Sequence, residues 1–263
     1  MNIGIIGAGA IARYACGKLQ DRGHTVSVVL SRRRGDGRDH GVFQDIPMVR
    51  CVEDMPEGIE HVIDCAGHGA LKEHGAKILA CGMPLTTVSI GALADEDLHQ
   101  QLDKAASTGG ARLHLVSGAI GSLDCLRAAR VGGLEQVIYE GRKPAACWRG
   151  TPAEELLDLE DLPPGGAVHF EGSARDAATS YPKNANVAAA VALAGLGFDR
   201  TRVRLIADPQ ATENIHEVEA SGDFGNFTFR ILGRTVPDNP KSSALAAMSV
   251  ISSLEQETDR IWF

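Results

Sequence analysis

Apolar positions in this chain of 263 residues follow two rhythms, and the change between them divides the sequence. Ile3, Ile5 and Ile6 open a short β-branched run, and small and apolar residues then recur at helical spacing over positions 10–20. Asp21-Arg22-Gly23-His24 turns the chain into a second β-branched run at 25–30. Positions 31–40, rich in Arg, Gly and Asp, read as a loop, and a weak strand signal returns at 47–51. The pattern next predicts a strand at 61–65, a helix at 70–81 capped by Gly82, and a short strand at 85–89. A polar amphipathic helix at 95–108, closed by Gly109-Gly110, and a strand at 112–116 complete this half. Strands and helices alternating through short connections predict an α/β fold with a doubly wound parallel sheet.

From Ser117 onward the βα alternation stops. Ser117-Gly118-Ala119-Ile120-Gly121 is a small-residue turn before a helix at 122–131. Strand-like runs at 136–142, 167–171, 202–207, 214–221 and 226–232 then succeed one another, interrupted by helices at 173–180 and 186–196. This predicts a second, smaller α+β domain with mostly antiparallel strands. A closing helix at 242–256 follows Asn239-Pro240-Lys241. The expected division is 1–117 for the first domain, with 239–263 packing back on it, and 118–238 for the second.

Composition narrows the function classes. Hydrophobic residues make up 44% of the chain, yet no stretch nears the roughly 18 uninterrupted apolar residues of a spanning helix, so no membrane association is expected. The chain opens directly on a strand, with neither a basic leader nor a small-residue cleavage site, and a cytoplasmic protein is expected. Its six cysteines form no C-x-x-C pair and no zinc-like spacing with histidine, so they read as reduced thiols, with no metal site. A net charge of −8 argues against nucleic acid as a partner.

The chemistry begins at Gly7-Ala8-Gly9-Ala10-Ile11-Ala12, a G-x-G-x-x-A turn placed between a strand and a helix. Gly7 permits the tight turn, Gly9 lets backbone approach a pyrophosphate, and small Ala12 lets the helix pack closely on the strand. The free N–H groups of the helix N-terminus then face the phosphates. Gly7, Gly9, Ala10 and Ile11 are the candidate cofactor contacts, together with Ala66 after the strand at 61–65. At the end of the second strand an NAD-restricted site usually carries Asp or Glu, but Ser31 stands here, followed by Arg32 and Arg33. A hydroxyl does not repel a 2′-phosphate and guanidinium groups pair with it, so NADP is expected to be accepted comparably with NAD.

Several further stretches carry a resemblance that spans nearly the whole chain in order. They are Ser89-Ile90-Gly91-Ala92-Leu93 before Asp95, Ser117-Gly118-Ala119-Ile120-Gly121 with Asp124, Phe170-Glu171-Gly172-Ser173-Ala174, and Tyr181-Pro182-Lys183-Asn184-Ala185-Asn186-Val187-Ala188. Ala207-Asp208-Pro209, Asn214-Ile215-His216-Glu217, Gly222-Asp223-Phe224-Gly225 and Asn239-Pro240-Lys241-Ser242-Ser243 continue it. On these stretches the chain resembles the L-aspartate dehydrogenase family. Ser242 departs from the threonine expected there but keeps the hydroxyl.

The resemblance implies a Rossmann-type N-terminal domain and a substrate, catalytic and dimerisation domain, usually in a homodimer. It implies reversible NAD(P)-dependent oxidative deamination of L-aspartate to oxaloacetate and ammonia through iminoaspartate. His216 would be the catalytic residue, and Ala119, Ile120 and Asn186 would contact the nicotinamide cofactor, NAD or NADP. The residues alone leave His216 open to a second reading, as a hydrogen-bonded core histidine on a strand. Aspartate presents two carboxylates, and Lys183, Asn184, Lys241, Ser242 and Ser243 are the polar residues of the matched stretches placed to meet them. Asn184 can equally serve as a helix N-cap. Two other classes compete: a two-domain reductase of the dihydrodipicolinate or homoserine type, and a non-catalytic NAD(P)-binding regulator. The histidine pair followed by lysine, and the Pro-Ser-Gly-Thr loop, that mark the dihydrodipicolinate type are missing from this sequence.

Overall fold

Ile3, Ile5 and Ile6 of strand β1 (Asn2–Ile6) are all buried, as a strand covered on both faces of a parallel sheet requires. Around it the computed structural model, which describes residues 1–32, 41–182, 184–236 and 239–261, builds a βα series. Helix α1 (Ala10–Asp21), β2 (Thr25–Leu30), β3 (Met48–Val49) and β4 (His61–Asp64) come first, then α2 (His68–Ala80), β5 (Leu85–Thr87), α3 (Glu96–Gly109) and β6 (Leu113–Leu115). The six strands pair in parallel in the order β3-β2-β1-β4-β5-β6. Winding reverses between β1 and β4, where ligands bind in such sheets. Helix ends follow their sequence signals: Asp95 caps α3 by accepting from the Leu98 N–H, and Gly110 ends it in the left-handed conformation, φ 66°.

A second series begins with α4 (Leu123–Gly132), β7 (Leu134–Pro144), α5 (Ala153–Leu156), β8 (Ala167–Ser173), α6 (Ala174–Ser180) and α7 (Asn186–Ala194). It continues through β9 (Arg202–Asp208), β10 (Asn214–Gly222) and β11 (Gly225–Gly233) to β12 (Thr235–Val236), β13 (Asn239–Ser243) and α8 (Ala244–Thr258). Its main sheet has the order β11-β10-β7-β9-β8. Three of its pairings are antiparallel, while β7 and β9 run parallel because the chain crosses back through α6 and α7 between them.

The chain forms two units: Met1–Gly118 with Val236–Ser242 and Ala246–Phe263, and Ala119–Thr235 with Ser243–Leu245. Within the first, Val250, Ile251 and Leu254 of α8 share a core with Ile3, Cys16 and Leu19. The closing helix starts two residues later than its periodicity predicts. Pro240 disfavours a helical residue before it, so 239–243 extends as β13. Likewise α7 stops at Ala194 rather than 196, at Gly195 and at Gly197 with φ 83°. Among the described residues no helix is long and apolar enough to cross a membrane.

Candidate active site

In a strand successive side chains alternate between faces, so Tyr139, Gly141 and Lys143 of β7 share one face. His216 on β10 pairs directly with Gly141 and joins that face. Gly141 makes the room, since a Cβ there would stand 2.7 Å from the Tyr139 Oη. The phenol lies across the glycine and its hydroxyl meets His216 Nδ1 at 2.8 Å, both side chains being buried. His216 thus has the hydrogen bond of a core histidine and keeps Nε2 as its other ring nitrogen. Burial, reinforced by the positive charge of Lys143, pushes its pKa down to about 3, so the imidazole is neutral at physiological pH.

Lys143 is the centre of this group. Its Nζ donates to Asn184 Oδ1 at 2.7 Å and stands 5.3 Å from the centroid of the Trp148 ring. Part of the residue's surface stays open, but burial of the ammonium lowers its pKa to about 8. Trp148 is fully buried and pinned by its Nε1, which donates to the Ile206 carbonyl at 3.1 Å. His169 packs edge-on to the same indole, 4.2 Å between centroids, and its Nδ1 meets the Tyr181 hydroxyl at 3.1 Å. Burial and the Lys143 charge hold His169 at about 4.

In the first unit, Gly7 takes φ 100°, and a Cβ there would lie 2.9 Å from the Cβ and 3.0 Å from the Cα of Ala66. Only glycine lets the turns after β1 and β4 approach so closely. A Cβ on Gly9 would meet nothing within 4 Å, which leaves open space over that backbone. Helix α1 begins there with no side-chain cap and no acidic residue in its first turn, where Ala10 and Ile11 stand. This open, uncapped turn fits the pyrophosphate of a dinucleotide. Asp64, fully buried at the end of β4, accepts from Thr87 Oγ1 at 2.7 Å, Ser89 Oγ at 2.6 Å and the Ala66 N–H at 2.9 Å, and so ties down the turn facing Gly7. Burial raises its pKa.

The remaining sequence-derived residues fall as follows. Ser31 closes β2, its N–H bonded to the Val49 carbonyl at 2.9 Å, and Arg32 is exposed beside it. Ala119 and Ile120 are buried in the turn after Gly118, and Asn186 is the first residue of α7. Asn184 is not the cap of that helix: Ala185 occupies the cap position, and the Asn184 carbonyl oxygen is turned to Lys143. Ser242 Oγ accepts from Asn239 Nδ2 at 2.9 Å, and Ser243 is half-buried. Arg33 and Lys183 lie outside the described residues, as does the side chain of Lys241. The structure thus joins Asn184 to the neighbourhood of His216 through Lys143. Sequence reasoning missed Tyr139, Lys143, Trp148, His169 and Asp64. The spacing of Tyr139, Gly141 and Lys143 along one strand was the available signal for the first two.

Comparison with known proteins identifies the family. Residues 124–257 match the family model described as aspartate dehydrogenase, C-terminal, and residues 7–116 match that of the homoserine dehydrogenase NAD binding domain. The chain is 46% identical over 257 residues to an L-aspartate dehydrogenase of Cupriavidus taiwanensis, covering 97% of this chain and 96% of that one. It is 48% identical over 256 residues to that of Ruegeria pomeroyi, covering 97% and 92%. The crystal structure of aspartate dehydrogenase from Thermotoga maritima superposes with a TM-score of 0.77 at 29% identity, over 100% of this chain and 99% of that one. The chain belongs to the L-aspartate dehydrogenase family.

Proposed function

We propose that this protein catalyses the reversible, NAD(P)-dependent oxidative deamination of L-aspartate to oxaloacetate and ammonia through iminoaspartate. The observation that carries this is a neutral, buried His216 held by Tyr139 beside the Lys143 ammonium, in a chain 46–48% identical to L-aspartate dehydrogenases. The first unit takes the nucleotide role, with Gly7, Gly9, Ala10, Ile11 and Ala66 around the pyrophosphate and Ser31 and Arg32 toward the adenosine ribose, and Arg33 remains a sequence-derived candidate for the same role. Ala119, Ile120 and Asn186 remain the sequence-derived candidates for further cofactor contacts. Lys241, Ser242, Ser243, Lys183 and Asn184 remain the sequence-derived candidates for the substrate.

The bound nicotinamide supplies the acceptor for the hydride that leaves Cα. The protein's own residues manage the protons. With the His216 Nδ1 proton donated to the Tyr139 hydroxyl, Nε2 is left with its lone pair toward the substrate. That nitrogen takes a proton from the water adding to the imine carbon and returns it to the departing nitrogen as ammonia leaves. Held by burial and the Lys143 charge, the imidazole is a weak base, at about 3. An arriving dianion offsets the Lys143 charge and raises that value toward working pH.

A homodimer belongs to the same reading: β11 is an edge strand, and Leu232 on it is 56% exposed. A cytoplasmic setting suits the six free thiols. A steady-state screen at 340 nm with amino acids, oxo acids and both nicotinamide cofactors tests substrate, direction and cofactor together. Turnover of another amino acid in preference to L-aspartate, or none with either, would sink the reading. Light scattering on a sizing column tests the dimer.

A further inference from the structure

Two groups packed on Trp148 have hydrogen-bonding capacity that the protein does not use. Among the described residues no carboxylate pairs with the Lys143 ammonium; Asn184 Oδ1 takes one of its three protons, and the indole of Trp148 lies at 5.3 Å. His169 is 7% exposed, and its Nε2 is buried without a hydrogen-bond partner among the described residues. Both pack on the same Trp148 ring. A buried orphan nitrogen and a lysine with no counter-charge are each costly, and they are retained together where a ligand satisfies both.

Their placement comes from the sheet. Lys143 pairs with Ala207 on β9, as does Ala167 of β8, and His169 is the extra residue of a β-bulge between Val168 and Phe170. A bulge re-aims a side chain, here into the packed layer with Trp148. His169 Nδ1 pairs with the Tyr181 hydroxyl, and in the tautomer where Tyr181 donates that bond Nε2 is the ring's donor. Asn184, through its carbonyl oxygen, holds the ammonium in place. The result is two polar groups packed on one indole.

We propose that Lys143 Nζ and His169 Nε2 together receive one carboxylate of the substrate, one oxygen each. This rests on the reading of the chain as an aspartate dehydrogenase and adds the anchor that reading lacks. A carboxylate fits better than a phosphate, because two donors match two oxygens, and the pyrophosphate features belong to the turn at Gly7 and Gly9.

The test uses the cofactor-loaded protein and succinate, an unreactive dicarboxylate, titrated by calorimetry, with steady-state kinetics alongside. Lys143→Met should weaken succinate and raise the aspartate KM by roughly ten- to a hundredfold, the effect of losing one charged hydrogen bond. Cofactor affinity should stay within about twofold. His169→Phe should weaken succinate in the same direction, and Lys143→Arg should recover part of the loss. If Lys143→Met lowers kcat/KM for L-aspartate more than for L-asparagine, the carboxylate is that of the side chain; equal losses assign the α-carboxylate, and both outcomes support the anchor. Thermal melts establish that each variant is folded, and His169→Phe carries the test if Lys143→Met is not. Unchanged succinate affinity and KM in folded variants, or a loss confined to the cofactor, overturns the anchor. Failure of the unaltered protein to oxidise aspartate is seen before any variant is made, and takes the underlying reading and the proposal down together.

Discussion

Replacing His216 with alanine separates its chemical role from its structural one, because the two predict different numbers. As the acid and base at the imine carbon, its loss lowers turnover by about 10²- to 10⁴-fold, or roughly 2.7–5.5 kcal/mol of barrier. As a core residue, its loss leaves the Tyr139 hydroxyl, fully buried and hydrogen-bonded to Nδ1 at 2.8 Å, without a partner. That costs about 1–3 kcal/mol of stability, and the vacated imidazole volume adds to it. Adding Tyr139→Phe removes the orphan, so the double variant should lose less stability than the two single losses summed. Turnover should stay at the His216→Ala level. Tyr139→Phe alone should lower turnover less and displace the pH–rate profile, since it frees the Nδ1 proton without removing Nε2. Absorbance at 340 nm with L-aspartate gives the rates, cofactor fluorescence gives dissociation constants expected to stay unchanged, and urea melts give stability. A folded His216→Ala protein with turnover within about tenfold of the parent would leave His216 as a core histidine and nothing more.

Three further outcomes are expected. His216, held near 3, and His169 and His61, held near 4, all lie below the ordinary 6.5, chiefly by burial, so the unfolded chain binds protons that the folded one refuses. Their contribution is full above pH 6.5 and is lost as pH falls toward 4 and 3, by roughly 5 kcal/mol at most for His216; urea midpoints at pH 7.5 and 5 measure it, and no change between them would refute neutral burial. Asp64→Asn should be tolerated, since Thr87 and Ser89 can turn to accept from the amide while Ala66 still donates to its oxygen, whereas Asp64→Ala orphans three donors and should cost about 2–4 kcal/mol and weaken the cofactor; equal melts for the two variants would contradict this. Arg32→Ala or Arg33→Ala should weaken NADP by roughly ten- to a hundredfold and spare NAD, while Ser31→Asp shifts preference to NAD; equal loss for both cofactors would show that these side chains do not read the 2′-phosphate.

The nucleotide half was legible in the sequence because its signals are local. Gly7, Gly9 and Ala12 sit within six positions, and β1 and β4 are each followed within a few residues by a helix. The boundaries that shifted did so for local reasons too, at Pro240 and Gly195. The substrate half was less legible because its key contacts are made across the sheet. Lys143 looks like a solvated lysine in Gly141-Arg142-Lys143-Pro144, and only the register of β7 with β10 and β9 brings it near His216 and Trp148. Asn184 reads as a cap from its neighbours, and only a contact 41 residues away shows that its oxygen serves an ammonium. His169 gives no period-2 signal, since the bulge that aims it breaks the alternation.

The same burial that tunes these groups opposes stability. An ammonium lowered to about 8, and a His169 Nε2 buried without a partner among the described residues, are each less favourable in the folded chain than in water, whereas the lowered imidazole pKa values cost stability only as pH falls below 6.5. Hydrophobic residues of similar volume would pack there without that cost. Retaining them makes sense only if their cost is offset when a ligand binds. A dicarboxylate that neutralises Lys143 and accepts from His169 relieves both. It also strengthens His216 as a base, so substrate binding and His216 activation become one event. The sheet under these groups is what makes that coupling strong. Tyr139, Gly141, Lys143 and His216 sit on paired strands rather than on loops, so a charge change at Nζ is felt at the imidazole without a conformational step in between.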